Sequence, residues 1–201
     1  MHKIQSIFPL PIYFNNINRE YTDIEGEFIT EQLDMMMANT SNLVSVNRYI
    51  LDFEPLIDIK KFILEESNNY IKIIYDPISK IECEITQSWL NLSKTNDSHP
   101  FHWHPNSFLS GVLYIKANKK FDKIMFHKFE YEQIKIHSPI KNEYNCEEVL
   151  FAVETGDIVM FPSKIPHSVP MVDSNYRVSL AFNIFLKGKI GNSLMLSDLT
   201  L

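Results

Sequence analysis

Only two cysteines, Cys83 and Cys146, occur in the 201 residues, and only five glycines. Two thiols supply neither a disulfide framework nor a thiolate metal site, so a reducing compartment is expected. No apolar stretch approaches the roughly 20 residues a membrane helix requires. The opening MHKIQSIFPLPIYF has no continuous apolar run and no small-residue cleavage site, so a cytoplasmic protein without a signal peptide is expected. A basic stripe is also missing. Lys119-Lys120 stands alone in a chain of net charge −6, which argues against phosphate-backbone binding and favours a small-molecule or protein side-chain substrate. A homodimer is compatible with the sequence but not required by it. There is no internal repeat and no low-complexity segment.

What is present is the patterning of a β-rich chain. One domain is expected, with an N-terminal strand and helices over 1–80, a core over 81–187 and a loosely held tail over 188–201. The stretch Ile7–Phe14 is β-branched and aromatic but carries Pro9 and Pro11, which suits an edge strand. Phe28, Leu33 and Met36 suggest a short helix over 25–37. A stronger one follows, where Leu56, Ile59, Ile63, Tyr70 or Ile71, and Ile74 recur between Pro55 and Asp76-Pro77. Beyond Pro77 short strands alternate with turn residues. Candidates are Glu82–Leu92, Phe108–Lys116, Lys123–Phe126, Gln133–His137, Glu148–Val153, Asp157–Phe161, His167–Met171 and Tyr176–Leu186. That number of antiparallel strands is most economically a jelly roll, or double-stranded β-helix, with the helices packed outside.

Chemistry concentrates in Pro100-Phe101-His102-Trp103-His104-Pro105. On an extended backbone His102 and His104 project to one side, and two imidazoles so placed can hold part of a transition metal's coordination sphere. Alone, such a pair is more often structural. The strand from Arg177 is equally two-sided: Val178, Leu180, Phe182, Ile184 and Leu186 form one face, Arg177, Ser179, Ala181 and Asn183 the other. The polar face suits either solvent or a pocket. The strand Glu84–Leu92 repeats the choice with Gln87, Trp89 and Asn91. His167 follows Pro166 just past a strand end, and Arg177 stands ten residues on.

Taken together, IFPLPIYF, SWLNLS, HPFHWHPNSFLSGVLYI, GDIVMFPSKIPHSVP and YRVSLAFNI resemble the iron(II)- and 2-oxoglutarate-dependent oxygenases, most of all a branch found in bacteria and phages. The resemblance runs from near the N-terminus to about Ile184. It implies a single oxygenase-like, cupin-like domain that uses Fe(II), 2-oxoglutarate and O2, with ascorbate as a supporting reductant. His102 and His167 would be iron ligands. His104 stands where the wider superfamily usually has a carboxylate, and is either a third nitrogen ligand or a lining residue; Asp97 is the nearest substitute acid. The resemblance further implies that Arg177 pairs with the distal carboxylate of 2-oxoglutarate, with Ser179 adding a hydroxyl and Tyr114 a phenol. Asn91 and Asn183 are polar residues on plausible inner faces, as likely to be satisfied amides as contacts. Hydroxylation of a substrate with release of succinate and CO2 is the implied reaction.

Two other readings stay open at this stage. One is a three-histidine cupin-type metalloenzyme that does not use 2-oxoglutarate; the other is a non-catalytic jelly-roll binding module. His99 is expected in an entry loop, and His127 and His137 in an irregular insert over 121–147 that covers the mouth of the barrel.

Overall fold

The computed structural model describes residues 2–129, 134 and 136–201. Two antiparallel sheets face each other, and the helices cover the outer side of the larger one. In chain order the elements are β1 (Tyr13–Asn16), α1 (Asp23–Asp34), β2 (Met37–Ala38), β3 (Leu43–Val44), α2 (Ile57–Tyr75), β4 (Ile81–Lys94), β5 (His99–His102), β6 (Leu109–Lys116), β7 (Lys123–His127), β8 (Glu148–Ala152), β9 (Asp157–Pro162), β10 (His167–Val169), β11 (Tyr176–Ile190) and β12 (Leu199–Thr200). The major sheet runs β1-β9-β6-β11-β4-β3-β2, with β12 paired to β11; the minor sheet runs β5-β10-β7-β8. This is the jelly-roll architecture, mainly β, with helices outside.

Local chemistry accounts for the helices. Thr22 caps α1, its hydroxyl accepting from the Glu25 backbone while the Glu25 carboxylate accepts from the Thr22 backbone. The longer helix, α2, follows a short 3-10 turn that contains Pro55 and ends at Asp76, whose left-handed backbone precedes Pro77. Its buried face carries Ile59, Ile63, Tyr70 and Ile71. Each such side chain contributes about 1.5–3 kcal/mol on burial. Ile74, which continues the spacing, is exposed instead.

That face packs on the apolar side of β11, where Val178, Leu180, Phe182, Ile184 and Leu186 join one core with Ile59, Ile63 and Tyr70. A second core fills the space between the sheets: Tyr114, Val159 and Phe161 from the major sheet meet Ile124 and Phe126 from the minor one. The major sheet is therefore buried on both faces. The polar side of β11 looks into the molecule, which decides between the solvent and pocket readings of its alternation.

Several sequence expectations are corrected. β1 starts only at Tyr13, because Pro9 and Pro11 cannot donate to a ladder, although it is an edge strand as expected. The expected tail over 188–201 is not loose: β11 continues to Ile190, and β12 folds back on it with Lys189 opposite Thr200. The candidate strand Gln133–His137 lies partly outside the described residues; its described members, Ile134, Ile136 and His137, are in no strand.

One glycine is needed for packing. A Cβ on Gly111, in β6, would lie 2.3 Å from Phe182 Cζ and 2.9 Å from Met160 Cγ. Phe182 and Met160 are both completely buried and have no room to yield. Gly111→Ala is expected to cost about 1–3 kcal/mol through overpacking, read as a lower urea midpoint; an unchanged midpoint would show that Phe182 can move.

Candidate functional site: a three-histidine cluster beside a buried arginine

The open end of the space between the sheets holds a pocket lined by residues of both. From the minor sheet and its connections come His99, His102, His104, His167 and Val169; from the major sheet come Trp89, Asn91, Ser93, Tyr114, Arg177 and Ser179. Strand register explains the second group. Ser179 is opposite Asn91 on β4 and Tyr114 on β6, and Arg177 is opposite Ser93. Residues directly across a ladder share a face.

One ligand nitrogen from each of His102, His104 and His167 lies within 4.8 Å of the others. His102 and His167 are brought together by direct pairing of β5 with β10, and their ring centroids are 4.2 Å apart. His104 reaches them differently. β5 ends at His102, so the alternation of a continuous strand does not place His104; its backbone N–H instead donates to the Ser163 carbonyl at 3.1 Å. Its Nε2 is then 3.3 Å from Nε2 of His167, with the two rings stacked.

The hydrogen bonds of the other ring nitrogens determine which lone pairs are free. Nδ1 of His102 lies 2.8 Å from the Pro100 carbonyl, and Nδ1 of His167 lies 3.1 Å from the Ile165 carbonyl. A carbonyl only accepts, so in the neutral rings both protons sit on Nδ1 and both Nε2 lone pairs point into the cluster. This arrangement of a ring held by one nitrogen and open at the other is typical of metal-binding histidines. Converging lone pairs repel one another unless a cation or a shared proton lies between them; a neutral His104 can direct its own Nε2 proton at His167, and uptake of a further proton is disfavoured here. His167 is pushed down to about 2, first by burial and then by charge on His102 and His104; His104 is pushed down to about 4, again by burial first. The donor set fits a divalent transition ion.

These shifts predict the pH response of the metal-free protein. Above the ordinary histidine value of 6.5 the rings are neutral whether the chain is folded or not; below it the unfolded chain takes up protons first. Stability is thus complete above 6.5 and is lost as pH falls towards about 4 for His104 and about 2 for His167. The slope approaches roughly 1.4 kcal/mol per pH unit for a fully buried ring. A urea midpoint for metal-free protein that is no lower at about pH 5 than at about pH 7.5 would contradict this linkage.

Arg177 is 3% exposed, and its Nε has no hydrogen-bond partner. Its guanidinium lies 5.1 Å from the Tyr114 ring centroid, and the buried Tyr114 hydroxyl is likewise without a partner. Burial raises the Tyr114 pKa, against the opposing charge of Arg177. Among the described residues, the pocket lining contains no carboxylate. A buried guanidinium beside a buried phenol suits an anion that can accept from both.

Comparison with known proteins covers the segment that carries these residues. Residues 87–183 match the family model described as "Putative 2OG-Fe(II) oxygenase". The matched segment spans a little under half of the chain and takes in His102, His104, His167 and Arg177. No curated protein matches it by sequence. Among solved structures, the chain is similar to a Pseudomonas putida prolyl-4-hydroxylase (13% identity, 87% of this chain and 92% of that one, TM-score 0.56). It is also similar to HygX from Streptomyces hygroscopicus, solved with nickel and 2-oxoglutarate bound (6% identity, 87% and 82%, TM-score 0.58). A third is the carbocyclase SnoK from nogalamycin biosynthesis (11% identity, 90% and 81%, TM-score 0.60). At such identities the likeness is one of fold. Among the described residues no helix is long and apolar enough to cross a membrane.

Of the residues singled out from sequence, the fold brings His102, His104, His167, Arg177, Ser179, Tyr114 and Asn91 to one pocket. Asn183 is not among its lining residues. Its Oδ1 accepts from Ser110, which contacts Ser163, the residue whose carbonyl holds His104. Asn183 thus anchors the network behind the site, and the kink between Asn183 and Ile184 in the β4–β11 ladder falls at this point. Asp97 is committed to a turn, accepting from the Lys94 backbone.

His127 is no insert residue but the end of β7, bonded to Ser168 Oγ at 2.8 Å, and His137 is exposed outside any strand. Sequence reasoning missed three polar lining residues, Asn42, Ser93 and His99. Ser93 continues the period of Trp89 and Asn91 and was legible; Asn42 precedes a two-residue strand and carried no signal.

Proposed function

We propose that this protein is an oxygenase that hydroxylates a small-molecule or protein side-chain substrate, using His102, His104 and His167 to hold Fe(II) and Arg177 to anchor 2-oxoglutarate. The observation that carries the proposal is the pairing of three converging imidazole nitrogens with a buried guanidinium that lacks any carboxylate partner in the same lining. Bound there, the iron supplies the oxidative chemistry: one O2 converts 2-oxoglutarate and a substrate C–H into succinate, CO2 and the hydroxylated product.

The chain's own residues bind, orient and exclude water. Arg177 offers a planar fork to the distal carboxylate, with the Tyr114 phenol and Ser179 hydroxyl as further donors. Three neutral imidazoles leave the full 2+ charge of the ion in place, where a carboxylate ligand would leave 1+, so the site gains attraction for a dianionic cosubstrate. Trp89 lies against His104, ring centroids 5.8 Å apart, and Phe161 against His167, 4.5 Å, limiting the rotation of both rings. Metal and cosubstrate are thereby placed on a rigid double sheet, and the substrate is left to approach from the open end.

The test is succinate production by protein reconstituted with Fe(II), 2-oxoglutarate and ascorbate in air. Turnover, coupled to a substrate or uncoupled, is expected, and it is lost on chelation. Metal binding without any 2-oxoglutarate binding or consumption would instead favour a three-histidine metalloenzyme in which Arg177 holds the substrate.

A further inference from the structure

His99 is three residues before His102, a spacing that in a regular strand puts two side chains on opposite faces. Here it does not. His102 is opposite His167 and His99 opposite Val169, so three steps along β5 match two along β10. The extra residue is a β-bulge, and it turns His99 back to the face that carries His102. The two rings meet edge to face with centroids 4.4 Å apart. His99 nevertheless stays outside the group whose nitrogens converge for a metal. It lines the same pocket as Arg177, and its Nδ1 is sealed from solvent with no hydrogen-bond partner. A buried polar atom in that state is costly to the fold, and a ligand supplying the partner removes that cost on binding.

We infer that His99 is a binding residue for the cosubstrate, its imidazole N–H donating to an oxygen of 2-oxoglutarate where that molecule spans from the three-histidine cluster to Arg177. The inference rests on the proposed function above. It adds a recognition element to it: a neutral donor beside the charged one, set in place by a bulge. A merely structural His99 would buttress His102, and its loss would be felt by the metal. A cosubstrate-binding His99 is felt by 2-oxoglutarate alone.

The experiment uses the full chain with Co2+ in place of iron, comparing wild type, His99→Phe and His99→Gln. Co2+ affinity is followed by visible absorption, then 2-oxoglutarate affinity of the Co2+ form by calorimetry. His99→Phe keeps the ring against His102 and removes both nitrogens. It is expected to bind Co2+ within about twofold of wild type and 2-oxoglutarate about tenfold more weakly, as for loss of a hydrogen bond to a charged group. His99→Gln, which restores an N–H donor, is expected to recover part of the affinity, and it carries the test if the Phe variant does not fold. Unchanged 2-oxoglutarate affinity in the variants, or a matching fall in Co2+ affinity, would overturn this inference alone. A wild-type protein that binds Co2+ but no 2-oxoglutarate would overturn the proposed function, and this inference with it.

Discussion

Arg177→Met is expected to raise the 2-oxoglutarate concentration for half-maximal turnover by about two orders of magnitude while leaving metal affinity unchanged. Truncating one partner of a buried, hydrogen-bonded charge pair costs roughly 2–5 kcal/mol, and each 1.4 kcal/mol is about tenfold in affinity. The same substitution has an opposite effect on the free protein. Without an anion, Arg177 is a buried cation whose Nε is unpaired, a state that burdens the fold rather than supporting it. Metal-free Arg177→Met should therefore melt no lower than wild type, and the stabilisation that 2-oxoglutarate confers on the metal-loaded protein should vanish. Arg177→Lys separates charge from shape: an ammonium retains the attraction but lacks the planar fork, so an intermediate loss is expected. Equal 2-oxoglutarate requirements in wild type and Arg177→Met would remove the residue from the site.

The second large effect concerns the metal. His167→Ala should lower Co2+ or Fe(II) affinity by at least about 100-fold, more than the 10–100-fold typical for loss of an outer-sphere partner, and abolish turnover with it. His104→Ala discriminates between its two roles. With Nε2 of His104 3.3 Å from that of His167, loss of a true ligand should approach the His167→Ala result. A variant that retained metal and lost only cosubstrate or substrate affinity would make His104 a lining residue and leave the ion two protein ligands. His104→Asp offers the complementary result, because a carboxylate there lowers the net charge by one and should strengthen retention of the ion while weakening attraction for the dianion.

How much of this was legible in the chain differs from residue to residue. The composition of β11 announced a strand with one apolar and one polar face, and its period put Arg177 and Ser179 together. It could not say which face met solvent, since a strand clothed by α2 on one side and a second sheet on the other shows the same alternation as one facing water. His102 and His167 were recognisable by their neighbours, Pro105 and Pro166, and by their order. His104 was expected in the right place for an incomplete reason: the strand stops before it, and the Ser163 carbonyl holds it there. Asn183 was left open between a pocket contact and a satisfied amide because its position on the polar face allows both, and the serine network that bonds its Oδ1 is assembled from three separate segments. His99 was assigned to a loop because a bulge has no signature in a single strand; it exists only as a mismatch between two.

Local sequence, then, was sufficient for the kind of structure and for singling out the imidazoles and the guanidinium that the fold gathers, because alternation, proline placement and donor chemistry act over a few residues. Pairing between strands distant along the chain was needed to turn Arg177 inward, to close three imidazoles on one point and to bring His99 beside them. Those outcomes depend on register and on which surfaces exclude water, and neither is a property of any one segment.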